Sequence, residues 1–88
     1  MTLKLERRSD GGRSIVRMIG AVRSEHLEGI SHELEAGGPG GALDLEEVTV
    51  VSAEVVRFLM ACERQGTELL RCPAYIREWI AREAKKPG

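Results

Sequence analysis

Residues 42–59, ALDLEEVTVVSAEVVRFL, decide how this chain reads. Ala42 to Leu45 is an apolar strand candidate that runs into a short acidic turn at Glu46 and Glu47. Val48, Thr49, Val50 and Val51 follow, and Ser52 stands where a helix N-cap belongs. Val55, Val56, Leu59 and Cys62 then recur at helical spacing, which predicts a helix from about Ala53 to Gln65, stopped by Gly66. Strand, loop and capped helix in that order put Ser52 at the carboxyl end of a strand. In open α/β sheets that edge is where ligands and partners dock.

Upstream, residues 2–8 alternate, with Leu3 and Leu5 on one side and Thr2, Lys4 and Glu6 on the other, as in a half-buried strand. Ser9-Asp10-Gly11-Gly12 is turn chemistry, and residues 13–19 form a second strand, so the pair predicts an antiparallel hairpin. Ser24 reads as the N-cap of a helix that buries Leu27, Ile30 and Leu34, with Glu25 and Glu28 near its start. Gly37-Gly38-Pro39-Gly40-Gly41 ends it. That run lacks the lysine and Ser/Thr of a phosphate-binding loop and precedes a strand, so it reads as a flexible connection.

Downstream, residues 67–71 give a short strand around Leu69 and Leu70, and Pro73 suits the first turn of a last helix. There Tyr75, Ile76, Trp79 and Ile80 form an apolar stripe opposite Arg77, Glu78 and Arg82; it reads as core, with an interface as the alternative. Residues 85–88 read as a frayed tail. The expected fold is therefore a single α/β domain over residues 1–88, β-β-α-β-α-β-α. Its four-stranded mixed sheet has its later strands parallel, because strand–helix–strand units cross over right-handedly.

Composition narrows function. With 13 basic and 14 acidic residues and a formal charge of −1, nothing predicts binding to nucleic acid or anionic lipid. No apolar run approaches the ~18 residues of a membrane span, so no membrane insertion is expected. MTLKLERR is not a signal peptide and two cysteines make no disulfide scaffold, which points to the cytoplasm.

Candidates for chemistry are few. His26 and His32 are six apart and cannot form an i, i+4 metal grip, and neither Cys62 nor Cys72 lies in a zinc-type spacing, so no metal is expected. Cys72 precedes a helix, where a thiol pKa can fall, but space-filling is the plainer role for both cysteines. Asp44 is the one carboxylate set among apolar strand residues. With no histidine or second acid predictably beside it, a structural role is favoured over that of a general base. No nucleophile motif is present, so neither an enzyme nor a cofactor is expected.

Two patterns carry a resemblance. Val16-Arg17-Met18-Ile19-Gly20-Ala21-Val22 followed by Ser24-Glu25-His26-Leu27 is similar to a strand, turn and helix entry of the STAS domain family. That family comprises anti-sigma factor antagonists and sulphate-transporter tails. Leu43-Asp44-Leu45-Glu46-Glu47-Val48-Thr49-Val50-Val51 is similar to the family's central strand and loop. The family continues Asp-Ser-Ser/Ala-Gly, its first serine being a phosphorylation switch; here those positions are Ser52-Ala53-Glu54-Val55, with alanine as the would-be acceptor.

The resemblance implies a non-enzymatic protein-binding module docking through residues 49–57, with Thr49, Ser52, Ala53, Glu54 and Arg57 as partner-binding residues. The missing acceptor implies a phosphorylation-independent adaptor. The alternatives are a subunit of a lipid-transport ABC complex, or an anti-sigma factor antagonist whose phosphorylation site has shifted to Ser52. The implied partner is an anti-sigma factor kinase-like protein or a transporter ATPase, and a homodimer through the last helix is left open.

Overall fold

The computed structural model describes residues 3–38 and 40–85. Thr2, Pro39 and residues 86–88 of the expected tail lie outside the described residues; Lys85 follows the last helix. Strand β1 (Lys4–Asp10) and strand β2 (Arg13–Ala21) form the expected antiparallel hairpin. Gly11 and Gly12, with φ of 61° and 86°, make a two-residue turn that only such positive angles match to the strand twist. A 3-10 turn (Ser24–His26) leads into α1 (Leu27–Ala36), and β3 (Ala42–Val50), α2 (Ala53–Arg64), β4 (Glu68–Leu70) and α3 (Ala74–Ala84) follow. The sheet order is β1-β2-β3-β4, with β2, β3 and β4 parallel.

Each crossover adds its strand in the same direction, and right-handed crossovers then carry α1 and α2 to the same face. The core agrees. Ile30, Val55, Val56, Leu59, Cys62, Ile76 and Ile80 from the three helices share one cluster with Val16, Met18, Leu43, Leu45 and Leu69 from the sheet. The alternate strand residues, including Ile15, Arg17, Ala42 and Asp44, point the other way.

That second face closes itself without a helix. Ile15 and Ala42 are buried there, beneath charged side chains whose aliphatic stems can cover apolar surface. Arg13 reaches from β2 across the start of β3 to Glu68 of β4, Nη1 to Oε1 2.5 Å, and Arg17 pairs with Glu47.

Three expectations are corrected. The acidic turn at Glu46 and Glu47 is not a turn. β3 runs through it with an extra residue, since Arg17 pairs Asp44 but Ile19 pairs Glu47. Bulging lets a strand absorb two exposed acids without breaking its ladder. Ser24 is not a helix N-cap; it begins the 3-10 turn, and α1 starts at Leu27. Tyr75 is not core: Ile76 and Ile80 are buried and Trp79 is partly so, but Tyr75 is exposed.

α1 ends against β2 at a position that admits no side chain. A Cβ on Gly37 would lie 2.3 Å from the Cβ of Ser14. Gly37→Ala is therefore expected to lower stability by about 1–3 kcal/mol, the usual cost of overpacking. Ser14→Gly should recover part of that loss in the double variant. Urea denaturation of the four proteins checks this, and purely additive effects would place the clash elsewhere.

Candidate functional site

Asp44 sits on the sheet face away from the helices and is fully buried. Its Oδ1 accepts the Glu46 N–H at 3.1 Å, which pins the bulge, and its Oδ2 accepts from Arg71 Nη2. Arg71 also reaches Glu46, Nη1 to Oε1 3.0 Å. To do so it adopts φ 49°, the one left-handed angle among described non-glycine residues, a conformation that costs a side-chain-bearing residue. Burial alone pushes the Asp44 carboxyl up, but the hydrogen bonds from Arg71 and Glu46 outweigh it and hold it below the usual carboxylate value. Ion pairing and backbone capping account for both carboxylate oxygens, a structural role.

These contacts set up the carboxyl edge of β3. β4 pairs only with Ala42, Leu43 and Asp44, and the chain then turns away at Arg71. The β4-side edge of β3 beyond Asp44 is met by side chains instead. Asp44 takes the Glu46 N–H, and the Tyr75 hydroxyl donates to the Val48 carbonyl at 3.3 Å. A second extra residue, between the Gly20–Val48 and Ala21–Val50 pairs, re-aims the strand end. Thr49 and Val50 are left exposed.

The predicted site residues lie together on this edge. Ser52 is the N-cap of α2, its Oγ accepting the Val55 N–H at 3.3 Å, and it is half-buried. Ala53 is the first helical residue, also half-buried, and Glu54 the exposed second. Arg57, one turn on, is exposed and stands 3.6 Å from Glu83 of α3, Nε to Oε1. The β2–α1 connection is tied to the same edge. Val22 N–H donates to the Val50 carbonyl at 2.9 Å, and Ser24 Oγ donates to Glu54 Oε1 at 2.8 Å.

Val50, inside the 49–57 stretch, and Tyr75, whose stripe has an interface as its alternative reading, join this group. Among the described residues they are the exposed large hydrophobics, at 58% and 46% accessible, and Tyr75 is bonded two residues from Val50 along one strand. A Val-Thr-Val-Val run hinted at a strand end, but only the bulges decide which valine faces out. Serine before a helix is the ordinary sign of a cap, but Ser24 lies inside the 3-10 turn and its hydroxyl goes to Glu54.

The remaining candidates do not converge here. His26 Nδ1 accepts the Arg23 N–H at 3.0 Å, a local bond within the 3-10 turn. Burial pushes the Cys62 thiol up to about 11. Burial also raises Cys72, and nearby Arg77 does not reverse it, so the thiol is not activated at the start of α3. Among the described residues no group of three His, Cys, Asp or Glu side chains is arranged to hold a metal, and no helix is long and apolar enough to cross a membrane.

The architecture is the STAS fold, a one-sided α/β domain with a mixed four-stranded sheet. The chain is similar to SpoIIAA, an anti-sigma factor antagonist, in its unphosphorylated form. The match has a TM-score of 0.66 and 15% identity over 88% of this chain and 79% of that one. It is also similar to part of Mglu, with TM-score 0.57 and 16% identity over 78% of this chain but 19% of Mglu. No family model matches the sequence, and no curated protein does. Identities this low establish shared architecture.

Two outcomes are expected. Ser52→Ala should cost about 0.5–2 kcal/mol by loss of the cap, whereas Ser52→Asp keeps it; urea titration of both variants measures the difference. Because the folded Asp44 pKa is lowered, its ionised form contributes stability above the unfolded value of about 3.9, lost as pH falls through the folded value. The stability gap between wild type and Asp44→Asn should therefore be widest near neutrality and narrow in acid. A gap that stays constant from neutrality down to strong acid would rule out that contribution.

Proposed function

We propose that this chain is a non-enzymatic protein-interaction module. Its docking face comprises Thr49, Ser52, Ala53, Glu54 and Arg57, with Val50 and Tyr75 as its apolar centre. The observation that carries the reading is that Val50 and Tyr75, the exposed large hydrophobics among the described residues, lie at this polar edge. Aromatic and aliphatic side chains ringed by polar groups are what protein interfaces bury. The likeness to an anti-sigma factor antagonist supports the regulatory kind of partner, an anti-sigma factor kinase-like protein in the cytoplasm. A transporter ATPase, as for the STAS subunits of lipid-transport complexes, is the alternative partner.

Binding on this reading is independent of phosphorylation. Alanine occupies the resembling acceptor position, and the Ser52 oxygen is already engaged by the Val55 N–H. A switch displaced to Ser52 would have to give up that cap geometry. A phosphate there would also stand two residues from Glu54, whose charge opposes it.

The test is affinity capture from extract of the producing cell, read by mass spectrometry. Wild type, Ser52→Asp and Arg8→Glu should retain the same protein; Arg8 pairs with Ile15 in the sheet and is remote from this edge. Val50→Asp should reduce binding at least roughly tenfold, the scale of losing one buried aliphatic contact. Retention by Val50→Asp would overturn the docking face, and selective loss with Ser52→Asp would restore the displaced switch.

A further inference from the structure

On the proposed docking face one charge is held in position but not neutralised. Ser24 Oγ donates to Glu54 Oε1 at 2.8 Å, across a sequence gap of thirty residues. The acids of β3 and Glu83 of α3 have cations: Glu46 is paired with Arg71, Glu47 with Arg17 and Glu83 with Arg57. Glu54 takes part in no ion pair among the described residues. Arg57, the nearest cation on its own helix, lies against Glu83 instead. Arg23, beside Ser24, pairs with neither Glu54 nor Glu25, and Glu25 on the 3-10 turn adds a second exposed negative charge.

The position favours an anion. Glu54 is the second residue of α2, where unpaired N–H groups and the helix dipole stabilise negative charge. A neutral hydroxyl donor orients the carboxylate and leaves its charge intact. An oriented carboxylate with no cation partner, tied through the β2–α1 connection to the same strand end as exposed Val50, is complementary to a cation carried beside an apolar side chain.

We infer that Glu54 is the electrostatic anchor of the docking face, that Ser24 is its positioning residue, and that the partner presents a lysine or arginine next to an apolar side chain. The inference rests on the docking face proposed above and names the chemistry of what that face takes.

The probe is a phage-displayed random dodecapeptide library panned against the full chain, the selected peptides being sequenced and the strongest resynthesised for fluorescence-polarisation titration. Peptides pairing Lys or Arg with an apolar neighbour should be enriched. Glu54→Gln and Ser24→Ala should each weaken the basic peptide about two- to fivefold, the range of exposed ion pairs, and high salt should shrink both losses. Ser24→Ala should leave unchanged a control peptide whose basic residue is replaced by glutamine, which a general loss of structure would not do. A library without basic enrichment, or an affinity untouched by Glu54→Gln while Val50→Asp abolishes it, overturns the anchor and leaves the docking face standing. Peptides whose binding survives Val50→Asp overturn the face and the anchor together.

Discussion

A carboxylate placed under the surface of a sheet has to find partners, and Asp44 finds them in ways that shape everything around it. One oxygen takes the Glu46 N–H and so fixes the extra residue in β3; the other takes Arg71, which enters a left-handed conformation to deliver its guanidinium. A buried charge without such partners would cost several kcal/mol, of order the whole stability of a small domain. The bulge, the early end of β4 and the departure of the chain toward α3 are thus tied to one constraint. Asp44 serves the fold, and through the fold it sets the shape of the edge where docking is proposed.

That edge illustrates how a small sheet ends without inviting indiscriminate pairing. Open strand edges recruit other strands, and proteins blunt them with bulges and charges. Here β3 outruns β4, and the exposed length is bulged, flanked by Glu46 and Glu47, and closed at Val48 by the Tyr75 hydroxyl. With backbone pairing blocked, the docking proposed above falls to side chains. Val50 and Tyr75 offer apolar area and Glu54 offers a fixed charge, all within elements anchored by the core cluster. Ser24 joins a second loop to this surface, so its geometry depends on β2 and α1 as well as on β3 and α2.

The opposite sheet face meets a different demand. Parallel strands usually have both faces covered by helices, whereas here the three helices share one face. The other carries ion-paired side chains, with Arg13 crossing the start of β3 to reach Glu68 and Arg17 meeting Glu47. The pairs are exposed enough to contribute little as electrostatics; long aliphatic stems such as theirs can cover apolar surface.

What the sequence determined by itself is the order of elements and the core. Val55, Val56, Leu59 and Cys62 are all buried as their spacing required, the hairpin turns at Gly11-Gly12, and Ser52 caps α2. Those features are local or periodic, and local geometry repeats wherever the same residues recur. That residues Thr49 to Arg57 share one edge was legible for the same reason, since a strand followed by a capped helix places them there. Only the tertiary structure decided that Glu46 and Glu47 continue the strand, that Ser24 gives its hydroxyl to Glu54, and that Val50 and Tyr75 are both exposed, with Tyr75 bonded to the Val48 carbonyl. Each of these depends on a partner far along the chain: Arg71 for the bulge, Glu54 for Ser24, the Val48 carbonyl for Tyr75. Residue spacing carries no record of such pairings, because they are set by how the sheet and helices meet in space.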